Sequence, residues 1–201
     1  MKNKFLSGFM VVSLMVLFIS CNKSPETEIE TARTAVLNAQ TMGAADYVPE
    51  EFNALNDSLN VILIQVEGKK SKWFANYNDE KEKLNQLVQL AEVVKQNTEI
   101  RKNEIRVEIV TTLGEIKSLL DENQQLLSEA PKGKEGTAVL VAIKDELSVL
   151  NNSVSEIMNL IEQGDYLTAQ RKLPAVNDKT LAINSELKDA IAKYSRHRGG
   201  K

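Results

Sequence analysis

Apolar side chains along this chain recur in steps of three and four, the period of helices, and not in the alternation of strands. From Ile29, the positions Ala32, Ala35, Val36, Ala39 and Met42 share one helical face, and Gly43 follows as a natural C-cap. Pro49 is placed for a first turn with Glu50 and Glu51 at the positive helix end. Phe52, Leu55, Leu59, Ile62, Leu63 and Val66 then continue a second face, predicted to end near Gly68. Helical spacing resumes after Asn78 and runs without Gly or Pro from Asp79 to Leu113, and Gly114 alone interrupts it before Pro131, which predicts a helix over Asn78 to Glu129, roughly 78 Å long if unbroken. Its apolar residues gather early, from Leu84 to Val94, and late, from Ile105 to Leu127. The polar stretch Lys95 to Glu104 holds only Ile100 and is expected to be an exposed connector between two cores. Pro131, Gly133 and Gly136 mark a turn before the face Leu140, Ile143, Leu147, Leu150, Val154, Ile157 and Ile161. A last helix is expected from Tyr166, lined by Ala169, Leu173, Val176, Thr180, Ile183, Leu187 and Ile191. In it Pro174 falls either in the first turns or at a kink.

Leu55, Leu59, Ile62 and Val66 align with Ile143, Leu147, Leu150 and Val154 at a shift of 88, and Tyr77, Leu84 and Leu87 with Tyr166, Leu173 and Val176 at 89. Any two amphipathic helices align at some shift, but a period of this size suits a three-helix unit whose third helix runs into the first of the next, as in spectrin-like arrays. The expected fold is therefore all-α, two tandem three-helix bundles sharing one long continuous helix. Nine Gly, four Pro and 5% aromatic residues agree, being too few for a turn-rich sandwich or barrel.

The amino-terminal end has a different character. Lys2 and Lys4 precede the apolar run Phe5 to Ile19, shorter than the ~20 residues of a membrane-spanning helix, so a cleaved signal peptide is preferred to a permanent anchor. Phe18-Ile19-Ser20-Cys21 resembles the lipobox of bacterial lipoprotein precursors, with Phe18 where Leu is usual. The resemblance implies that Cys21 takes a diacylglyceryl group on sulphur and an acyl group on its new amino terminus. Asn22 stands where Asp would hold an enterobacterial lipoprotein at the inner membrane, so the analogy favours the outer membrane, with its face left open. The expected organisation is a signal peptide at 1–20, a lipidated tether at 21–28, a first bundle at 29–104, a second at 105–195 and a flexible basic tail at 196–201.

Composition then limits the chemistry. A single Cys excludes an intrachain disulfide framework, and its single His, His197, lies in the basic tail, so a His-based triad or His-ligated metal site lacks its residues. No GxxxxGK[ST] or GxGxxG segment occurs, and Lys132-Gly133-Lys134 is only a basic turn. A net charge of −3, or −5 once residues 1–20 are removed, lacks the positive footprint that nucleic acid requires. Glu104 with Glu108, or Asp145 with Glu146, could in principle bind a cation or act as acid and base, but solvated helix faces are the preferred reading, since no nearby apolar pocket is implied that would shift a pKa. No cofactor, metal or catalytic residue is expected, and the chain does not read as an enzyme.

The most unusual composition lies between the second and third helices, at Lys69-Lys70-Ser71-Lys72-Trp73-Phe74-Ala75-Asn76-Tyr77, which contains the chain's single Trp. Lys69, Lys70, Lys72, Trp73, Phe74 and Tyr77 are the candidate partner-binding residues. Trp73 could stack on a sugar while the lysines meet an anionic envelope polymer; alternatively, Trp73 or Phe74 plugs the end of the first bundle.

Ala32-Arg33, Ala35, Ala39, Gly43-Ala44, Tyr47 and Pro49-Glu50-Glu51-Phe52, with the later Gly164-Asp165-Tyr166 and Ala169, resemble a family of helical bacterial lipoproteins of unknown function. Its members are similar in an Ala-rich helix, a Gly-Ala to Tyr-x-Pro corner and a helix opened by Asp-Tyr, and some are fused to OmpA-like peptidoglycan-binding domains. Here Val48 replaces the usual Ala, and no OmpA-like domain follows. The resemblance implies fold and location, and brings no catalytic residue. The expected protein is thus a lipid-anchored cell-envelope component, held to a membrane through Cys21, acting as a spacer, scaffold or partner-binding arm. A glycan-binding module built on the Trp73 elbow is the alternative.

Overall fold

The computed structural model describes residues 24–131 and 136–199. The signal peptide, Cys21 and the end of the basic tail lie outside the described residues. All regular structure among those described is helical, in the order α1 (Glu26–Thr41), α2 (Ala44–Tyr47), α3 (Pro49–Lys70), α4 (Asn78–Glu129), α5 (Gly136–Glu162) and α6 (Tyr166–Gly199). None of the described helices is long and apolar enough to cross a membrane. The chain forms two compact units that divide between Arg101 and Lys102, within α4.

In the first unit, α1, α3 and the opening turns of α4 bury one common core. Ala32, Val36 and Ala39 come from α1, Phe52, Leu55, Leu59, Ile62 and Val66 from α3, and Leu84, Leu87, Ala91 and Val94 from α4. The small residues Ala32, Ala39, Ala44 and Ala91 are wholly buried, which allows the backbones to approach closely. Cross-helix pairs fix the directions. Glu28 near the start of α1 meets Lys81 near the start of α4 at 3.0 Å, whereas Glu51 at the start of α3 accepts from Asn97, well along α4, at 2.7 Å. The helices therefore run up, down and up.

Helix α1 begins earlier than expected, so Glu26 to Glu28 are helical and not tether. Pro25 is buried, the Glu26 N–H bonds the Ser24 carbonyl at 2.8 Å, and Glu26 and Glu28 sit favourably at the positive end of the helix dipole. Gly43, at φ +90°, ends α1 and starts the single turn α2, and Pro49 opens α3. The Gly-Ala to Tyr-x-Pro corner is thus a device for reversing the chain. Helix α3 continues past Gly68 to Lys70, with Lys69 and Lys70 at its negative end. The polar stretch of α4 is not uniformly exposed. Thr98 is fully buried with its hydroxyl on the Val94 carbonyl at 2.7 Å, while Ile100 faces solvent.

In the second unit, Ile105, Ile109, Leu113, Ile116 and Leu120 of α4 are buried, as are Ile143, Leu147, Leu150, Val154 and Ile157 of α5 and Ala169, Leu173, Val176, Ile183 and Leu187 of α6. Helix α4 passes through Gly114 without interruption. A polar layer crosses this core: Asn123 donates to the Thr180 carbonyl at 2.9 Å and accepts from Asn184 at 2.8 Å. Pro174 lies inside α6, beyond its first turns, and α6 extends into the expected flexible tail as far as Gly199.

The corner between α5 and α6 follows from two residues. Gly164, at φ +78°, donates to the Ile161 carbonyl and Asp165 N–H to the Leu160 carbonyl, a Schellman closure of α5. The Asp165 carboxylate then accepts from the Thr168 N–H at 3.1 Å and caps α6. An added Cβ at Gly164 would meet no atom within 4 Å, so Gly164→Ala tests conformation alone. It should lower stability by about 1 kcal/mol, the cost of a left-handed L-residue, read by chemical denaturation.

Candidate functional site

Between Lys70 and Asn78 the chain leaves helix for an elbow, Ser71 to Tyr77. Its base is tightly held. The Lys72 N–H bonds the Lys69 carbonyl at 3.0 Å, and the Asn76 side chain accepts from the Asn78 N–H at 3.0 Å, an Asx turn leading into α4. The Lys69 ammonium spans the base, donating to the Asn76 carbonyl at 2.9 Å and to the Glu80 carboxylate at 2.7 Å. Ala75 and Tyr77 turn inward and join the core.

The tip behaves oppositely. Trp73 and Phe74 are 85% and 87% exposed, with ring centroids 6.5 Å apart in an edge-to-face arrangement. Neither plugs the first unit; Ala75 and Tyr77 do so instead. Of the six candidate binding residues, Lys70, Lys72, Trp73 and Phe74 are exposed to solvent. Tyr77 is buried, Lys69 is committed to the elbow's own base, and Lys70 pairs with Glu67 at 2.8 Å.

Burial works to raise the Glu80 pKa, but the Lys69 hydrogen bond, the backbone and the charges of Lys69 and Lys83 outweigh it, and the net shift is downward. A carboxylate that ionises more readily folded than unfolded contributes stability above its unfolded value of about 4.3, and loses it as pH falls through the depressed native value. Lys69→Met should cost about 2 kcal/mol at neutral pH by leaving a buried charge without its partner. With the cation gone, burial drives Glu80 upward, so the deficit should shrink as acid protonates it. Urea denaturation across pH measures both effects.

The other shifted groups follow the same ion-pair logic. The Lys81 hydrogen bond lowers Glu28, the Lys188 hydrogen bond lowers Glu122, and the Glu67 hydrogen bond and charge raise Lys70, with a further contribution from Glu26. The carboxylate pairs singled out in the sequence do not stand apart as acid and base. Glu108 accepts from Gln170 at 3.1 Å, and Glu146 forms an ion pair with Lys179. Among the described residues, no three His, Cys, Asp or Glu side chains converge in a way that would hold a metal.

Open clefts run along the helix seams of the first unit. Those between α1 and α4 and between α3 and α4 measure about 570 and 450 Å³, the second edged by exposed Val61 and Leu90. A third, of about 680 Å³, lies between α1 and α3 and brings Ser24, Glu26 and Thr27 beside Glu67 and Lys70. The start of α1 therefore lies next to the elbow. This proximity was not drawn from the sequence, although an up-down-up unit requires its first and third helices to begin at the same end.

The resemblance motifs sit at packing and turning positions, with Ala32, Ala39, Ala44, Phe52 and Ala169 buried and Gly43 and Gly164 at the left-handed corners. Compared with protein-family models, with curated proteins and with solved structures, the chain matches none.

Proposed function

We propose that this chain is a bacterial cell-envelope lipoprotein, held through Cys21 in a membrane, by analogy the outer one. Its helical units then serve without catalysis as a spacer, scaffold or partner-binding arm. The observation that carries the reading is the amino-terminal pattern: two lysines, an apolar run of signal-peptide length, and Ser20 before the chain's single cysteine. The start of α1 at Glu26, shortly after Cys21, would keep the fold close to its acyl chains. Among the described residues, the shifts resolved at Glu28, Lys70, Glu80 and Glu122 all favour the charged form, as ion pairs at helix surfaces do.

The two units are read as tandem three-helix bundles that share α4. In support, Leu55, Leu59, Ile62 and Val66 and their counterparts Ile143, Leu147, Leu150 and Val154 are all buried, as are Leu84 with Leu173 and Leu87 with Val176, whereas Tyr77 is buried and its counterpart Tyr166 only partly so. Intact mass of protein extracted from membranes tests the anchor. The expected species lacks residues 1–20 and carries three acyl chains, and a bare Cys21 thiol would refute it. Crosslinking in intact cells followed by mass spectrometry then identifies what the arm touches.

A further inference from the structure

The start of α1, the end of α3 and the start of α4 meet at one end of the first unit. Glu28 pairs with Lys81, Lys69 pairs with Glu80, and Ser24 and Glu26 share a cleft with Lys70. From that end projects the elbow, where two large aromatics, Trp73 and Phe74, stand more than four-fifths exposed beside exposed Lys72. Ser24 follows Cys21 by three residues, which even fully extended span no more than about 10 Å. A bilayer that receives acyl chains on Cys21 therefore lies within reach of the elbow.

We propose that Trp73 and Phe74 enter the interface of that same bilayer, giving the first unit a second membrane contact beside its lipid. The inference rests on the lipid-anchor reading. Trp is suited to the headgroup boundary, where its ring is apolar and its N–H stays wet, and Phe74 adds apolar area beside it. Lys72 can lay its aliphatic stem along the rings and keep its ammonium among the headgroups. Charge discriminates this occupant from an anionic glycan. Of the elbow's lysines, Lys69 is held by the part-buried Glu80 pair and exposed Lys70 forms a surface pair with Glu67, while nearby Lys81 pairs with Glu28, so exposed Lys72 is the main positive charge at the tip. What the elbow offers is apolar surface with little net charge, so the contact should depend only weakly on salt and on anionic lipid. With the lipid alone, the unit would pivot about one point; two contacts would fix which of its faces turn outward.

The chain supplies its own probes, one cysteine and one tryptophan. The protein from Cys21 onward is coupled through that thiol to maleimide lipid in vesicles of phosphatidylcholine with phosphatidylglycerol, so the result does not depend on acylation in the cell. Trp73 emission should move to shorter wavelength relative to the soluble Cys21→Ala chain, be quenched by brominated acyl chains, and escape aqueous iodide. Phe74→Ala should weaken these changes while helicity, followed by circular dichroism, stays intact. Unchanged emission with full iodide quenching in the tethered protein overturns the proposal, as does an emission shift on purified peptidoglycan that vesicles fail to produce. If intact mass shows Cys21 unacylated in cells while the tethered protein still buries Trp73, the anchor reading fails and the elbow's affinity for lipid surfaces stands.

Discussion

Cys21→Ala should remove the protein from the membrane fraction, leaving either a released soluble chain or an uncleaved precursor. The expected effect is close to all-or-none. Each buried methylene contributes about 0.8 kcal/mol, a single acyl chain holds a protein only marginally, and three together make dissociation negligible. The proposed elbow contact would not compensate, since two aromatic rings and one exposed lysine are a far smaller apolar contact than three acyl chains. Fractionation with intact-mass analysis reads the outcome. A variant that still sediments as a processed, acylated species would show that another residue carries the lipid.

Asn123→Ala is expected to cause the largest loss of stability among polar substitutions, about 3 kcal/mol. Asn123 is fully buried and joins α4 to α6 through the Thr180 carbonyl and the Asn184 amide. Truncation leaves a cavity and strips both groups of a partner in a place with little access to water. Replacing Asn123 and Asn184 together by Leu should restore much of that stability, because a buried polar layer selects one register more than it strengthens the fold. Amide exchange in α4 beyond Lys102 and in α6 separates the outcomes: general loss of protection in Asn123→Ala, and recovered but more heterogeneous protection in the double variant.

The helices were legible because burial follows angular position. Leu84, Leu87, Ala91 and Val94 fall on one face and are buried, whereas Leu90, grouped with them by composition, lies off that face and is 43% exposed. The same rule explains what was missed. Thr98 and Asn123 continue buried stripes, at four residues past Val94 and three past Leu120, and their polarity disguised core positions. Pro25 with Glu26 and Glu28 was a helix-start signal read as tether. At the elbow, residue type was misleading. Aromatics usually cover cores, yet which loop residues turn inward is set by the backbone path, and here Asn76 and Lys69 direct Ala75 and Tyr77 inward and leave Trp73 and Phe74 outside. Cys21, the proposed anchor, lies outside the described residues.

Pro174 interrupts α6 in a way its ribbon of helical residues conceals. Proline has no N–H to offer the Gln170 carbonyl four residues back, so one rung of the ladder is missing. The stretch from Tyr166 to Leu173 must then lean on the packing of Ala169 and Leu173 and on the Asp165 cap. It should breathe as a short latch, its amides exchanging ahead of those beyond the proline, so that the second unit loosens first at the corner where α6 begins.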